Sequence, residues 1–142
     1  MIFERILILG CGLIGSSLAA SARECGLARE IVGVDNKYEL MRERNPFFDE
    51  ISGSLKSFEE ADLCVIAIPI EGVPAVVKEL ADNQGKSNYD LITDVASNKK
   101  PLIEVLDELK QDSKRAFVSK FISSHPLAGS EQEGWESAST NL

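Results

Sequence analysis

The sequence predicts an α/β fold, a doubly wound and mostly parallel sheet with helices on both faces. Three observations predict it. Short apolar runs of strand length alternate with segments of helical period along the chain. The residues suited to chemistry fall just past the strand ends, where open parallel sheets bind ligands. A length of 142 residues suits one domain, large enough to bury a core without disulfide or metal staples.

Ile6 to Leu9 is a continuous apolar run, as a strand buried on both faces requires. Leu13 to Cys25, rich in Ala and Ser, reads as a helix, and Gly26 stands where a C-terminal capping glycine belongs. Ile31 to Val34 is a second strand, ending at Asp35. Tyr38 to Arg44 is a short helix stopped by Asn45-Pro46. Pro46 to Glu60 carries no clear period. Leu63 to Ile68 is a strand ended by Pro69, and Tyr89 to Thr93 is another. Pro74 and Pro101 each suit a first helical turn, which predicts helices running to Ala81 and over Lys100 to Leu109. Phe117 to Ile122 reads as a last strand, leading into Ser123-Ser124-His125-Pro126. Repeats, low-complexity tracts and linkers are not evident.

Lys and Arg number 15 against 23 Asp and Glu, a net charge of −8, which opposes binding to a phosphate backbone. With 44% hydrophobic and 27% charged residues the composition is that of a globular chain, not a disordered one. No apolar stretch approaches the ~18–20 residues needed to span a bilayer, and the N-terminus runs directly into a strand pattern. The expectation is a cytoplasmic protein that binds neither nucleic acid nor membrane. Cys11, Cys25 and Cys64 form no CxxC pair and read as small buried apolar side chains, although the loop position of Cys11 argues for more exposure there. A single histidine cannot seed a His-rich site, so no metal is expected.

Gly10-Cys11-Gly12-Leu13-Ile14-Gly15 is a GxGxxG segment placed directly after a strand and opening a helix. Gly10 permits the tight turn, Gly12 lets a pyrophosphate approach the backbone, and Gly15 allows close helix–strand packing. The helix N-terminus then offers unpaired N–H groups and a positive dipole end. Asp35 lies 20 positions beyond Gly15, at the end of the second strand, where a carboxylate accepts hydrogen bonds from an adenosine ribose. The fold is therefore expected to be Rossmann-type, with residues 1–142 as one NAD(P)-binding domain. Gly10, Gly12, Leu13, Ile14, Gly15, Asp35 and Pro69 are the expected cofactor residues. Asp35 repels a 2′-phosphate and Asn36-Lys37 bring no arginine to offset it, so NAD is expected over NADP.

Asp94-Val95-Ala96-Ser97-Asn98-Lys99 and His125-Pro126-Leu127-Ala128-Gly129-Ser130-Glu131 follow later strand ends. An imidazole, with its near-neutral pKa, suits proton acceptance from a hydroxyl being oxidised, and the Ser97 hydroxyl can orient it or the substrate. His125 and Ser97 are the candidate catalytic residues of a nicotinamide-dependent alcohol oxidation.

These segments together resemble the prephenate/arogenate dehydrogenases. The run from Ile6 to Leu18, the DxxSxK at Asp94 to Lys99 and HPLAGSExxG from His125 to Gly134 carry the likeness over nearly the whole chain. The resemblance implies oxidative decarboxylation of prephenate to 4-hydroxyphenylpyruvate, or of arogenate to tyrosine, in tyrosine biosynthesis. It implies that His125 hydrogen-bonds the ring hydroxyl, that Ser97 contacts both, and that Ser130 and Glu131 lie near the substrate side chain. Ser16 stands where the family usually has a second helical glycine, a mild departure, and Ser123-Ser124 precede His125 where a glycine is common. The family continues into a helical C-terminal domain that supplies the dimer interface and an arginine for the ring carboxylate. That domain is absent from these 142 residues, so the chain is expected to bind NAD but to turn substrate over poorly alone, as a monomer or weak dimer where the longer protein is a homodimer. A different hydroxy-acid dehydrogenase domain, a non-catalytic NAD-sensing module and, more weakly, an S-adenosylmethionine binder remain the alternative readings.

Overall fold

The computed structural model describes residues 1–125 and 132–141. Five parallel strands form one sheet: β1 (Phe3–Leu9), β2 (Ala28–Val34), β3 (Glu50–Ser52), β4 (Glu60–Ile66) and β5 (Asn88–Asp94). Their order is β3-β2-β1-β4-β5. The helices are α1 (Leu13–Glu24), α2 (Tyr38–Met41), α3 (Val73–Asp82), α4 (Lys100–Gln111) and α5 (Arg115–Val118). Strand order reverses at β1, so the crevice of such a sheet opens past the ends of β1 and β4.

Four consecutive buried residues of β1 feed two cores. Ile6 and Ile8 join Ala19 and Ala22 of α1 on one face, while Leu7 and Leu9 join Val77 and Leu80 of α3 and Leu102 and Val105 of α4 on the other. Each such Leu, Ile or Val contributes about 1.5–3 kcal/mol on burial. Gly26 has a φ of +60°, donates to the Arg23 carbonyl, and is followed by Leu27 donating to Ala22, a glycine stop that satisfies two end carbonyls of α1. Pro74 and Pro101 both occupy first-turn positions. The stretch without clear period holds β3 and a 3-10 turn at Leu55–Ser57. Only Ile51 of the three β3 residues is buried, too few for alternation to show.

The expected strand at Phe117 to Ile122 is not one. Its start is the helical turn α5, in which Val118 N–H donates to Lys114 and Phe117 and Val118 are buried. An apolar run without alternation fits a buried helical turn as well as a strand. Pairing with β5 survives at a single parallel bridge, Ile92 with Phe121. The Phe121 ring meets Phe117 edge-on at 6.3 Å.

A Cβ on Gly33 of β2 would lie 2.4 Å from Cys11 Sγ and 3.0 Å from the Phe48 ring. Gly33→Ala is expected to destabilise the fold by about 1–3 kcal/mol, as overpacking does. Adding Cys11→Ala should recover part of that loss. Urea unfolding of the two singles and the double gives the coupling directly; strict additivity would show that the thiol is not the obstacle.

Candidate functional site

A cleft of about 1460 Å³ lies at the carboxyl end of the sheet, over β1 and β4. Gly10, Gly12, Leu13, Ile14, Asp35 and Pro69 all line it. Gly10 has a φ of +95°, and a Cβ there would stand 2.4 Å from the Ala67 carbonyl oxygen. A Cβ on Gly12 would meet nothing within 4 Å, so this glycine leaves open space on the cleft side of the backbone. Gly15 is not part of the lining. It sits beneath, where a Cβ would come within 1.9 Å of the Gly10 carbonyl oxygen and 3.1 Å of Ile8. Its contribution is to let α1 lie against the loop.

The N-terminus of α1 has no side-chain cap and no acidic residue in its first turn. Ser16 N–H is the first to find an intrahelical acceptor, Gly12. The N–H groups of Leu13, Ile14 and Gly15 have no partner among the described residues. Unpaired donors and a positive dipole end make this a seat for an anion.

Asp35 faces the other side of the loop. One carboxylate oxygen accepts from Cys11 N–H at 2.9 Å and the other from Lys37 N–H at 2.8 Å. Each oxygen has a further lone-pair site for a hydroxyl. The loop is also held from behind: Ser16 Oγ, fully buried, donates to the Cys11 carbonyl at 2.9 Å and accepts from Asn45 Nδ2 at 2.9 Å. The serine that replaces the expected glycine thus ties the loop to the residues after α2. Nothing in the sequence marked Asn45 beyond its place before Pro46.

Cys11 and Cys64 are buried, as read for all three cysteines, and the exposure that the loop position argued for at Cys11 is not found; Cys25 is exposed, against that reading. The Cys11 side chain turns under β2, against Gly33. Burial, and then the nearby Asp35 charge, push its thiol well above the ordinary range.

Ser97 and His125 are both exposed, and neither lines the cleft, whose wall on that side is Val95 and Ala96. Among the described residues no hydrogen bond joins Ser97 to His125. Their two segments are nevertheless stitched together at Asp94, which is fully buried and bonded to Ala96, Lys99 and Ser123. Asp94 and Lys99 were visible in the DxxSxK spacing but only Ser97 was given a role. Ser130 and Glu131 lie outside the described residues. Trp135, which sequence reasoning passed over, lines the cleft and packs against the core beside α1, with Ser139 N–H donating to Ser17 Oγ at 3.0 Å.

The family model for the prephenate dehydrogenase nucleotide-binding domain matches residues 18–142. A prephenate dehydrogenase of Lactococcus lactis is 34% identical over 140 residues, covering 98% of this chain and 38% of that protein. A cyclohexadienyl dehydrogenase of Zymomonas mobilis is 31% identical over 137 residues, covering 94% and 44%. The crystal structure of prephenate dehydrogenase from Aquifex aeolicus with hydroxyphenyl propionate and NAD+ superposes with a TM-score of 0.77 at 25% identity, covering 97% of this chain and 46% of that one. The chain thus spans about two-fifths of the length of the curated relatives it matches.

The burial pattern sets an expectation for thiol chemistry. Ellman's reagent should titrate one cysteine rapidly in the native protein, Cys25, and the other two only on unfolding. Fast reaction of a second thiol that Cys11→Ala abolishes would contradict the buried placement of Cys11.

Proposed function

The chain belongs to the prephenate dehydrogenase nucleotide-binding domain family, and from that premise we propose that it is the NAD-binding domain of an enzyme that oxidatively decarboxylates prephenate or arogenate in tyrosine biosynthesis. The observation that carries this reading is convergence: the open side of Gly12, the unpaired donors of α1 and the Asp35 carboxylate all border one cleft at the point where strand order reverses.

The residues fit a dinucleotide. A pyrophosphate fits the space a Gly12 side chain would fill, against the α1 donors. A ribose diol fits the two remaining acceptor sites of Asp35, whose charge opposes a 2′-phosphate. Pro69, at the end of the β4 loop, closes the opposite wall. Bound there, the nicotinamide supplies a hydride acceptor.

His125 and Ser97 are the residues proposed to hold the substrate hydroxyl. The imidazole accepts its proton as the carbinol carbon gives up hydride, and the Ser97 hydroxyl keeps the oxygen in place. Loss of the ring carboxylate as CO₂ then restores aromaticity, so the protein's task is to position and polarise one hydroxyl. Ser130 and Glu131 are proposed to face the substrate side chain. The setting proposed is cytoplasmic, and the longer enzyme a homodimer.

The chain has one tryptophan, and Trp135 borders the cleft, so NAD+ is expected to alter its fluorescence saturably. Asp35→Asn should weaken NAD+ about tenfold, the cost of hydrogen bonds to a charged acceptor, and narrow the preference for NAD+ over NADP+. Equal affinity of the unaltered chain for both cofactors would remove Asp35 from the discrimination.

In an enzyme that carries this domain, His125→Asn is expected to lower kcat by about 10²-fold or more, with NAD+ affinity within about twofold. An unchanged kcat would exclude His125 from the chemistry.

A further inference from the structure

Asp94 ends β5 and is fully buried, and its acceptors are shared between the two segments that carry the candidate catalytic residues. On one side, Oδ2 accepts Ala96 N–H at 3.0 Å and Lys99 Nζ at 2.5 Å, folding residues 94–99 back so that Ser97 is presented between two fixed points. On the other side, Oδ1 accepts Ser123 Oγ at 2.8 Å, and the Asp94 backbone carbonyl accepts Ser124 Oγ at 2.5 Å. Lys99 Nζ also donates to the Ser124 carbonyl. Thr93 Oγ1 donates to the Ile122 carbonyl at 2.6 Å. Backbone pairing with β5 ends at the single bridge at Phe121, with Ile122 N–H donating to the Ile92 carbonyl at 2.8 Å. From the Ile122 carbonyl through Ser124, side-chain hydrogen bonds therefore take over from the sheet, and His125 is the next residue.

We infer that Asp94, Lys99, Ser123 and Ser124 form a positioning clasp that holds His125 in fixed register with Ser97, beyond the Val95–Ala96 wall of the cleft. The inference rests on the catalytic reading of His125 proposed above and adds to it the residues through which that side chain is aimed. A buried ion pair is an inefficient way to gain stability, since desolvation consumes much of the attraction, and apolar packing would hold a strand end as well. What the pair provides is direction. The carboxylate accepts from three named donors on two segments, and only one relative placement of those segments satisfies all three. Ser123 and Ser124 stand where the resembled family commonly has a glycine, and each hydroxyl makes a bond to Asp94 that glycine cannot make. Asp94 and Lys99 do not line the cleft and act through His125 and Ser97.

His125 is the only histidine, so its imidazole gives one isolated set of NMR signals. The experiment follows those signals in the full chain during NAD+ titration, in parallel with Trp135 fluorescence, for the unaltered protein, Ser123→Ala, Ser123→Gly and Asp94→Asn. The expected result is a distinct imidazole shift at NAD+ saturation in the unaltered chain. In both Ser123 variants that shift should fall by at least half and the imidazole heteronuclear NOE should drop, while β-sheet amide signals and NAD+ affinity stay within twofold. Asp94→Asn should lose the shift altogether. Should Asp94→Asn fail to fold, the two Ser123 variants decide the matter alone, since each removes a single hydroxyl.

An imidazole shift that is unchanged in folded Ser123 variants overturns the clasp and leaves the catalytic reading standing. The absence of any NAD+ response at His125 in the unaltered chain overturns the catalytic reading and the clasp with it.

Discussion

Three stretches of backbone pass one another at the carboxyl end of β1 at separations that leave no room for a side chain. A Cβ on Gly15 would lie 1.9 Å from the Gly10 carbonyl oxygen, and one on Gly10 would lie 2.4 Å from that of Ala67. The loop, the first turn of α1 and the end of β4 are thus in direct backbone contact. The positive φ of Gly10 turns the chain sharply enough to start α1 at once. Because α1 starts there, its small residues Ala19 and Ala22 lie close on Ile6, Ile8 and Ile31, and its free N–H groups open at the reversal of strand order. A side chain at Gly15 would lever the helix off the sheet and lose core and anion seat together. One steric constraint therefore couples the stability of the fold to the geometry of its proposed site.

Taken globally, the net charge of −8 is a poor match for the proposed anionic cofactor. Charge acts locally, however, because water and salt screen exposed groups beyond about 8 Å. The first turn of α1 contains no acid, and its donors are fixed backbone dipoles that need no reorganisation to meet a phosphate. The Asp35 carboxylate is oriented by Cys11 and Lys37 amides, which hold it where the ribose is proposed to sit. The same hydrogen bond from Cys11 fixes the loop itself, so the proposed selectivity and the loop shape share one contact.

What was legible in the sequence was local. β1 shows itself as a run because both of its faces are buried, and Gly26 marks the end of α1 because only a left-handed residue makes that stop easily. The glycine loop and Asp35 were legible because what marks them is a spacing, and Gly10, Gly12 and Asp35 line one cleft. Residues whose meaning depends on a distant partner were not. Asn45 reads as a helix breaker until its amide is seen on Ser16, 29 positions away. Cys11 looks exposed in a loop until Gly33 is seen to make space for its sulfur. Phe117 and Val118 are as apolar as a strand, yet they pack from a helical turn because the chain after α4 reaches the sheet edge only at Phe121.

The segment before His125 raises a different physical problem. A core residue is held by being hidden, and burial of Leu or Val supplies both the energy and the placement. A side chain proposed to meet substrate and exchange a proton, as His125 is, has to stay exposed, so its own contacts cannot hold it. The fixing has to be done by the backbone behind it. At the end of β5 the ladder has run out and an apolar anchor would draw the chain inward. Hydrogen bonds to a buried carboxylate hold Ser123 and Ser124 by direction instead of by area, which keeps the next residue outside while limiting where it can go. A polar anchor beneath an exposed side chain is thus what the sheet edge requires, and on the proposed role of His125 it accounts for an acid and a lysine in the DxxSxK segment that do not themselves line the cleft.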